Sequence, residues 1–174
     1  SFDAITYGKG GQVVAMIAAF MGDEKFRAGV RRYMAAHRLG SATSDDFFAA
    51  LAEAAGAPQL VPAMRSFTDQ QGVPLLSFTR KGSDFAVTQS RYVALGTGPQ
   101  PGIWAVPMCA RRGAERHCQL LNGERASFTL TGKGPLMPNA GGAGYYRFEL
   151  PRGDWDALIK QADRLPGGEA QALA

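Results

Sequence analysis

From residue 1 to about 71 apolar side chains return every three or four positions, the period of helices with one buried face. Val13, Met16, Ile17 and Phe20 fall on one stripe of a first helix that Gly22 ends. A second helix is predicted over 23–37, with Phe26, Val30, Tyr33 and Met34 inward and Lys25, Arg27, Arg31 and Arg32 toward water. Asp23 and Glu24 suit its positive N-terminal end. Thr43 can cap a third helix that packs Phe47, Phe48 and Leu51, and the adjacent Asp45 and Asp46 are read as helix-start electrostatics, not as an acid/base pair. Pro58 opens a short fourth helix reaching Phe67.

After Gly72-Val73-Pro74 the period falls to two, and turn signals arrive about every ten residues. Strands are predicted at 75–80, 84–92, 103–111, 115–121, 127–130 and 145–150, a spacing that suggests an antiparallel β-sandwich. The aromatics Phe78, Phe85, Tyr92, Trp104, Phe128, Tyr145 and Phe148 sit in that alternation and are read as core. Pro151 breaks the last strand, and Trp155, Leu158, Ile159 and Ala162 open an amphipathic helix that calls for a further packing partner. The glycine clusters at 8–11, 96–102 and 141–144 do not fit a phosphate-binding loop and are read as turns.

Composition adds little that is specific: 174 residues, 45% hydrophobic, suffice for one domain or two small ones. The net charge of +4 is mild, and the pairs Arg31/Arg32 and Arg111/Arg112 lack the aromatic or glycine patterns of RNA-binding modules, so no nucleic-acid partner is expected. No apolar run approaches the ~18–20 residues that cross a bilayer, and no leader pattern is visible, so no membrane partner is expected either. The start at Ser1, in sequence already helical, suggests that the natural N-terminus lies upstream.

Candidate chemistry is first a matter of what is missing. A zinc hydrolase of the H-E-x-x-H type needs two imidazoles one helical turn apart and a third ligand, and the two histidines here, His37 and His117, cannot supply them. His37, near a helix end, is read as a packing residue or a partner of the helix dipole. No G-x-S-x-G elbow is present.

The two cysteines, Cys109 and Cys118, are not a C-x-x-C pair. Gly113 fits the first central position of a two-residue type II′ hairpin turn, and counting outward from Arg112 and Glu115 sets Cys109 opposite Cys118 in a non-hydrogen-bonded pair. Two readings stand: a cross-strand disulfide, which implies a periplasmic or secreted protein, or two reduced, buried thiols.

The string Ile5-Thr6-Tyr7-Gly8-Lys9-Gly10-Gly11-Gln12, followed by Phe20-Met21-Gly22-Asp23-Glu24-Lys25-Phe26-Arg27, resembles the end of the catalytic domain of the aminopeptidase N family of zinc peptidases. The resemblance continues through Ala42-Thr43-Ser44-Asp45-Asp46-Phe47 and Phe67-Thr68-Asp69-Gln70-Gln71-Gly72-Val73-Pro74, where the family usually has Trp in place of Phe67. It resumes at Val87-Thr88-Gln89-Ser90-Arg91 and Asn139-Ala140-Gly141-Gly142-Ala143-Gly144-Tyr145-Tyr146-Arg147-Phe148. In that family the tyrosine of Y-x-K-G donates a hydrogen bond to the tetrahedral intermediate, a role the resemblance assigns to Tyr7. One departure is Gly8, where the family commonly has Glu.

The resemblance implies a fragment of an α+β enzyme: residues 1–71 the helical remnant of a thermolysin-like catalytic domain, 72–150 an immunoglobulin-like β-sandwich acting as a spacer, and 151–174 the first helix of a C-terminal helical domain. It implies one zinc ion and a peptide substrate in the intact protein, with the metal ligands and general base upstream of Ser1. This chain alone is expected to bind no zinc and to be inactive. Its first helices would normally meet the rest of the catalytic domain, so self-association of their apolar faces is expected in isolation. Two rivals are a non-catalytic protein- or glycan-binding module and an intact protein that has lost its zinc site.

Overall fold

The computed structural model describes residues 2–173, with side chains from residue 8 onward. The first part of the chain forms α1 (Phe2–Met21), α2 (Asp23–Ala36), α3 (Ser44–Ala55) and α4 (Leu60–Thr68). Seven strands follow: β1 (Pro74–Lys81), β2 (Asp84–Arg91), β3 (Ala105–Arg112), β4 (Glu115–Asn122), β5 (Arg125–Thr129), β6 (Leu136–Met137) and β7 (Arg147–Glu149). The chain closes with α5 (Arg152–Ile159), a 3₁₀ turn at Ala162–Arg164 and α6 (Gly167–Gln171). The class is therefore α+β, and among the described residues no helix is long and apolar enough to cross a membrane.

Local chemistry explains most helix boundaries. Gly22, at φ 85°, separates α1 from α2. Thr43 Oγ1 accepts from the Asp46 amide at 3.2 Å while Asp46 Oδ2 accepts from the Thr43 amide at 2.8 Å, a reciprocal capping box. The Thr43 hydroxyl also donates to Asp46 Oδ2 at 2.7 Å, and that bond, followed by the one from the Thr43 amide, holds the Asp46 carboxyl below its ordinary pKa. Gly56, at φ 66°, ends α3. The helices meet closely where Gly29 faces α3, since a Cβ there would lie 2.9 Å from Leu51 Cδ2.

The glycine cluster at 8–11 is not a turn. It lies inside α1. Glycine weakens a helix by its backbone entropy, but Val13, Met16 and Ile17, all buried, hold the following turns and carry the helix through the weak stretch.

The strands assemble into two sheets, ordered β5-β2-β1-β7 and β4-β3-β6. Leu76, Phe78, Phe85 and Val87 of the first and Val106, Met108, Leu121 and Met137 of the second belong to one buried core, which also takes in Val13, Met16, Phe67 and Leu158 from the helices. A second core, of Ile17, Phe48, Leu51, Ala52, Leu60 and Met64, lies among α1, α3 and α4. β3 is buried on both faces from Val106 to Ala110. Pro107 is tolerated there because β6 pairs with β3 only at Arg111 and Arg112, leaving the proline without a ladder partner on that side.

Further sequence expectations need correction, and one strand was missed. The sheets are not wholly antiparallel: β7 runs parallel to β1, with Leu76 opposite Phe148. The excursion between them is long enough for the crossover that parallel pairing requires. β6 was not predicted, since two residues are too short to show a period. Met34, Tyr92 and Ile159, expected inward, are 60%, 48% and 57% exposed. The C-terminal helix stops at Ile159, short of Ala162, and Leu158 packs into the sheet core while the Trp155 ring stacks on Phe148 at 5.4 Å.

Candidate functional site

The residue singled out by the sequence, Tyr7, is a position of α1 whose side chain lies outside the described residues. What can be built is its support. Gly8, Gly10, Gly11 and Gln12 are exposed, and a Cβ at any of the three glycines would meet nothing within 4 Å. Lys9 is the exception in this stretch. It is half-buried, its Nζ donates to the Gln70 carbonyl at 2.9 Å, and burial lowers its pKa.

Gln70 lies in the turn between α4 and β1, and its own side chain donates to the Ile103 carbonyl at 2.8 Å. The same turn is braced at Gly72, φ 102°, where a Cβ would lie 2.7 Å from Arg91 Nε. The Tyr92 amide donates to the Val73 carbonyl at 2.9 Å. The carbonyl that receives Lys9 is thus fixed by contacts to two separate parts of the sheet region.

Further along α1, Met16 Sδ accepts from the Tyr145 amide at 3.3 Å, which ties the helix to the loop leading into β7. That loop is closed by Asn139, whose side chain accepts from the Gly144 amide at 2.9 Å and donates to the Gly144 carbonyl at 3.1 Å. A Cβ on Gly144 would lie 2.3 Å from the Tyr146 ring, so only glycine fits. The Tyr146 hydroxyl donates to the Pro138 carbonyl at 2.9 Å, and burial pushes its pKa well up. Between α1, this loop and α6 lies a cleft of about 530 Å³ bordered by Gln12, Ala15, Tyr145, Arg147 and Gln171.

Glu169, 2% exposed, pins α6 to the loop: it pairs with Arg111 and accepts from the Gly141 amide at 2.9 Å. Burial pushes its carboxyl pKa up, but the bonds from Arg111 and Gly141 and the charges of Arg111 and Arg116 outweigh that and leave it below the ordinary value. Sequence reasoning missed this pair, and it missed Gln89, whose 6% exposed amide donates to the Trp104 and Gly123 carbonyls at 2.7 and 2.6 Å.

The histidines have other partners. The His37 ring lies 5.2 Å from Tyr33. His117 stacks on Phe128 at 5.2 Å, with Nε2 3.1 Å from Gln119 Oε1. Among the described residues no three His, Cys, Asp or Glu side chains are grouped to hold a metal ion, so the residues present do not fit a zinc site. Cys109 and Cys118 form a disulfide, in the register counted from the turn, with Cα atoms 4.1 Å apart.

Compared with known proteins, residues 1–70 match the peptidase family M1 domain. Tricorn protease-interacting factor F2 of Thermoplasma acidophilum is 28% identical over 164 residues, 94% of this chain and 20% of that protein. The chain belongs to the M1 peptidase family. This M1 chain is also 36% identical to aminopeptidase M1-C of rice over 107 residues, 62% of the chain and 12% of that protein. It is 29% identical to probable aminopeptidase 2 of Sulfurisphaera tokodaii over 147 residues, 84% of the chain and 19% of that protein. The M1 chain therefore spans about a fifth or less of the length of these relatives.

Proposed function

We propose that this chain is part of a zinc-dependent aminopeptidase that removes N-terminal residues from peptides, and that Tyr7 is the chain's contribution to the chemistry. The observation that carries this reading is the M1 match over residues 1–70, which takes in Tyr7-Gly8-Lys9-Gly10, together with relatives named as aminopeptidases over most of the chain. In this reading zinc is held by residues outside the chain and supplies the activation of water. The Tyr7 phenol donates its O–H to the peptide carbonyl oxygen as negative charge grows there, where a preorganised donor lowers the barrier by ~2.7–4 kcal/mol.

The finer architecture follows the same proposal. Residues 1–71 are the helical end of a thermolysin-like catalytic domain, 72–150 an immunoglobulin-like sandwich that serves as a spacer, and 151–174 the opening of a C-terminal helical domain. The Cys109–Cys118 disulfide supports a periplasmic or secreted location, since such bonds persist in oxidising compartments. With no grouped metal-ligating side chains among its described residues, this chain alone should hydrolyse no peptide.

The test is Tyr7→Phe in the full-length protein, with kcat measured on a peptide carrying a free α-amino group. A loss of about 10²-fold or more is expected. A change of only a fewfold would remove Tyr7 from the mechanism.

A further inference from the structure

Between position 7 and Val13, the first buried residue among the described side chains of α1, one side chain with a long-range hydrogen bond joins the helix to the rest of the protein, that of Lys9. Its neighbours Gly8, Gly10 and Gly11 have no side chains to pack, and three glycines in four positions leave this part of the helix intrinsically weak. A helix turns 100° per residue, so positions 7 and 9 lie on opposite sides of α1. Lys9 can therefore hold the helix from behind without occupying the side that position 7 presents.

We propose that Lys9 is a positioning residue, whose bond to the Gln70 carbonyl fixes the Tyr7 end of α1 against the α4–β1 turn. This rests on the reading of Tyr7 as the catalytic phenol. The anchor is suited to the task. Gln70 is bonded through its side chain to Ile103, and the turn is braced by Gly72 against Arg91, so displacement of the carbonyl would disturb both. A donor must sit within a few tenths of an ångström of its working position to stabilise a developing charge, and a misplacement of about 1 Å can cost 10²-fold in rate. A glycine-rich helix end supplies no such precision by itself. The Lys9–Gln70 bond does.

A double-mutant cycle in the full-length protein tests this. Lys9→Met keeps the length of the side chain and removes the donor. Alone it should lower kcat about 10-fold or more, with KM changed less than about twofold. In the Tyr7→Phe background it should lower kcat by less than about twofold, because the group it positions is gone. Lys9→Arg, which retains a donor, should recover part of the loss. An equal loss of kcat in both backgrounds would overturn the positioning role, as would no loss from Lys9→Met when Tyr7→Phe is itself crippled. If Tyr7→Phe has no effect, the catalytic reading of Tyr7 falls, and the positioning role falls with it.

Discussion

At the scale of single residues, burial with a full set of partners separates structural polar groups from chemical ones. Glu169 shows this with a pH signature. Its folded-state pKa lies below the ordinary carboxylate value, so its ion pair with Arg111 stabilises the fold above the unfolded-state pKa, about 4.3, and that stability is lost as pH falls through the lower folded-state value. Glu169→Gln is therefore expected to cost about 1–3 kcal/mol in urea unfolding near pH 6, and the gap from the unmodified protein should close as the pH is taken well below 4. A gap that is constant with pH would show that packing of α6, not charge, supplies the stability. The pair was invisible in the sequence because Arg111 and Glu169 are separated by 58 positions and neither breaks its local pattern. Gln89 was hidden similarly: it follows the alternation of β2 as an inward position, and only the fold reveals the Trp104 and Gly123 carbonyls that its amide satisfies. The Lys9–Gln70 bond, across 61 positions, is a third case.

At the scale of elements, what the sequence made legible was what its local period encodes. The β3–β4 hairpin is the clearest instance. Gly113 has φ 62° and Ala114 is not in the left-handed region, which fits a type II′ turn, and the register counted from it pairs Cys109 with Cys118 as found. The Thr43 cap of α3 was legible for the same reason, since it acts on an amide three residues on, while the return bond from Asp46 that completes the box was not read. The parallel β1–β7 pair was not legible, because alternation tells which face of a strand is apolar and says nothing about which distant strand lies beside it. The hairpin also yields a test. Its disulfide closes a short loop, and by chain entropy it should stabilise the fold by about 2–3 kcal/mol. Titration with a thiol reagent in denaturant without reductant should find no free thiol, and Cys109→Ser/Cys118→Ser should lower the unfolding free energy by that amount. Two titratable thiols per chain would restore the reading of a reduced pair.

At the scale of the whole molecule, the change of period near residue 72 marks a change of element type but not a break in packing. Phe67 of α4, fully buried, belongs to the same core as Leu76 and Phe78 of β1 and Trp104 ahead of β3. Its neighbour Met64, one turn back on α4, belongs to the helical core with Leu51 and Leu60. On α1 the division falls between adjacent residues, Met16 entering the sheet core and Ile17 the helical one. Two helices thus contribute to both cores, so loosening one core displaces elements that the other requires. Phe67→Ala should remove about 3–5 kcal/mol and, under mildly destabilising conditions, speed amide hydrogen exchange in α4 and in β1 to the same extent, because both then exchange through one opening. Leu51→Ala, placed wholly in the helical core, should act first on α3 and reach β1 only through α1 and α4. Equal exchange in β1 before and after Phe67→Ala would instead mean that the sheets open as a unit of their own, and that the helices rest on them without sharing their stability.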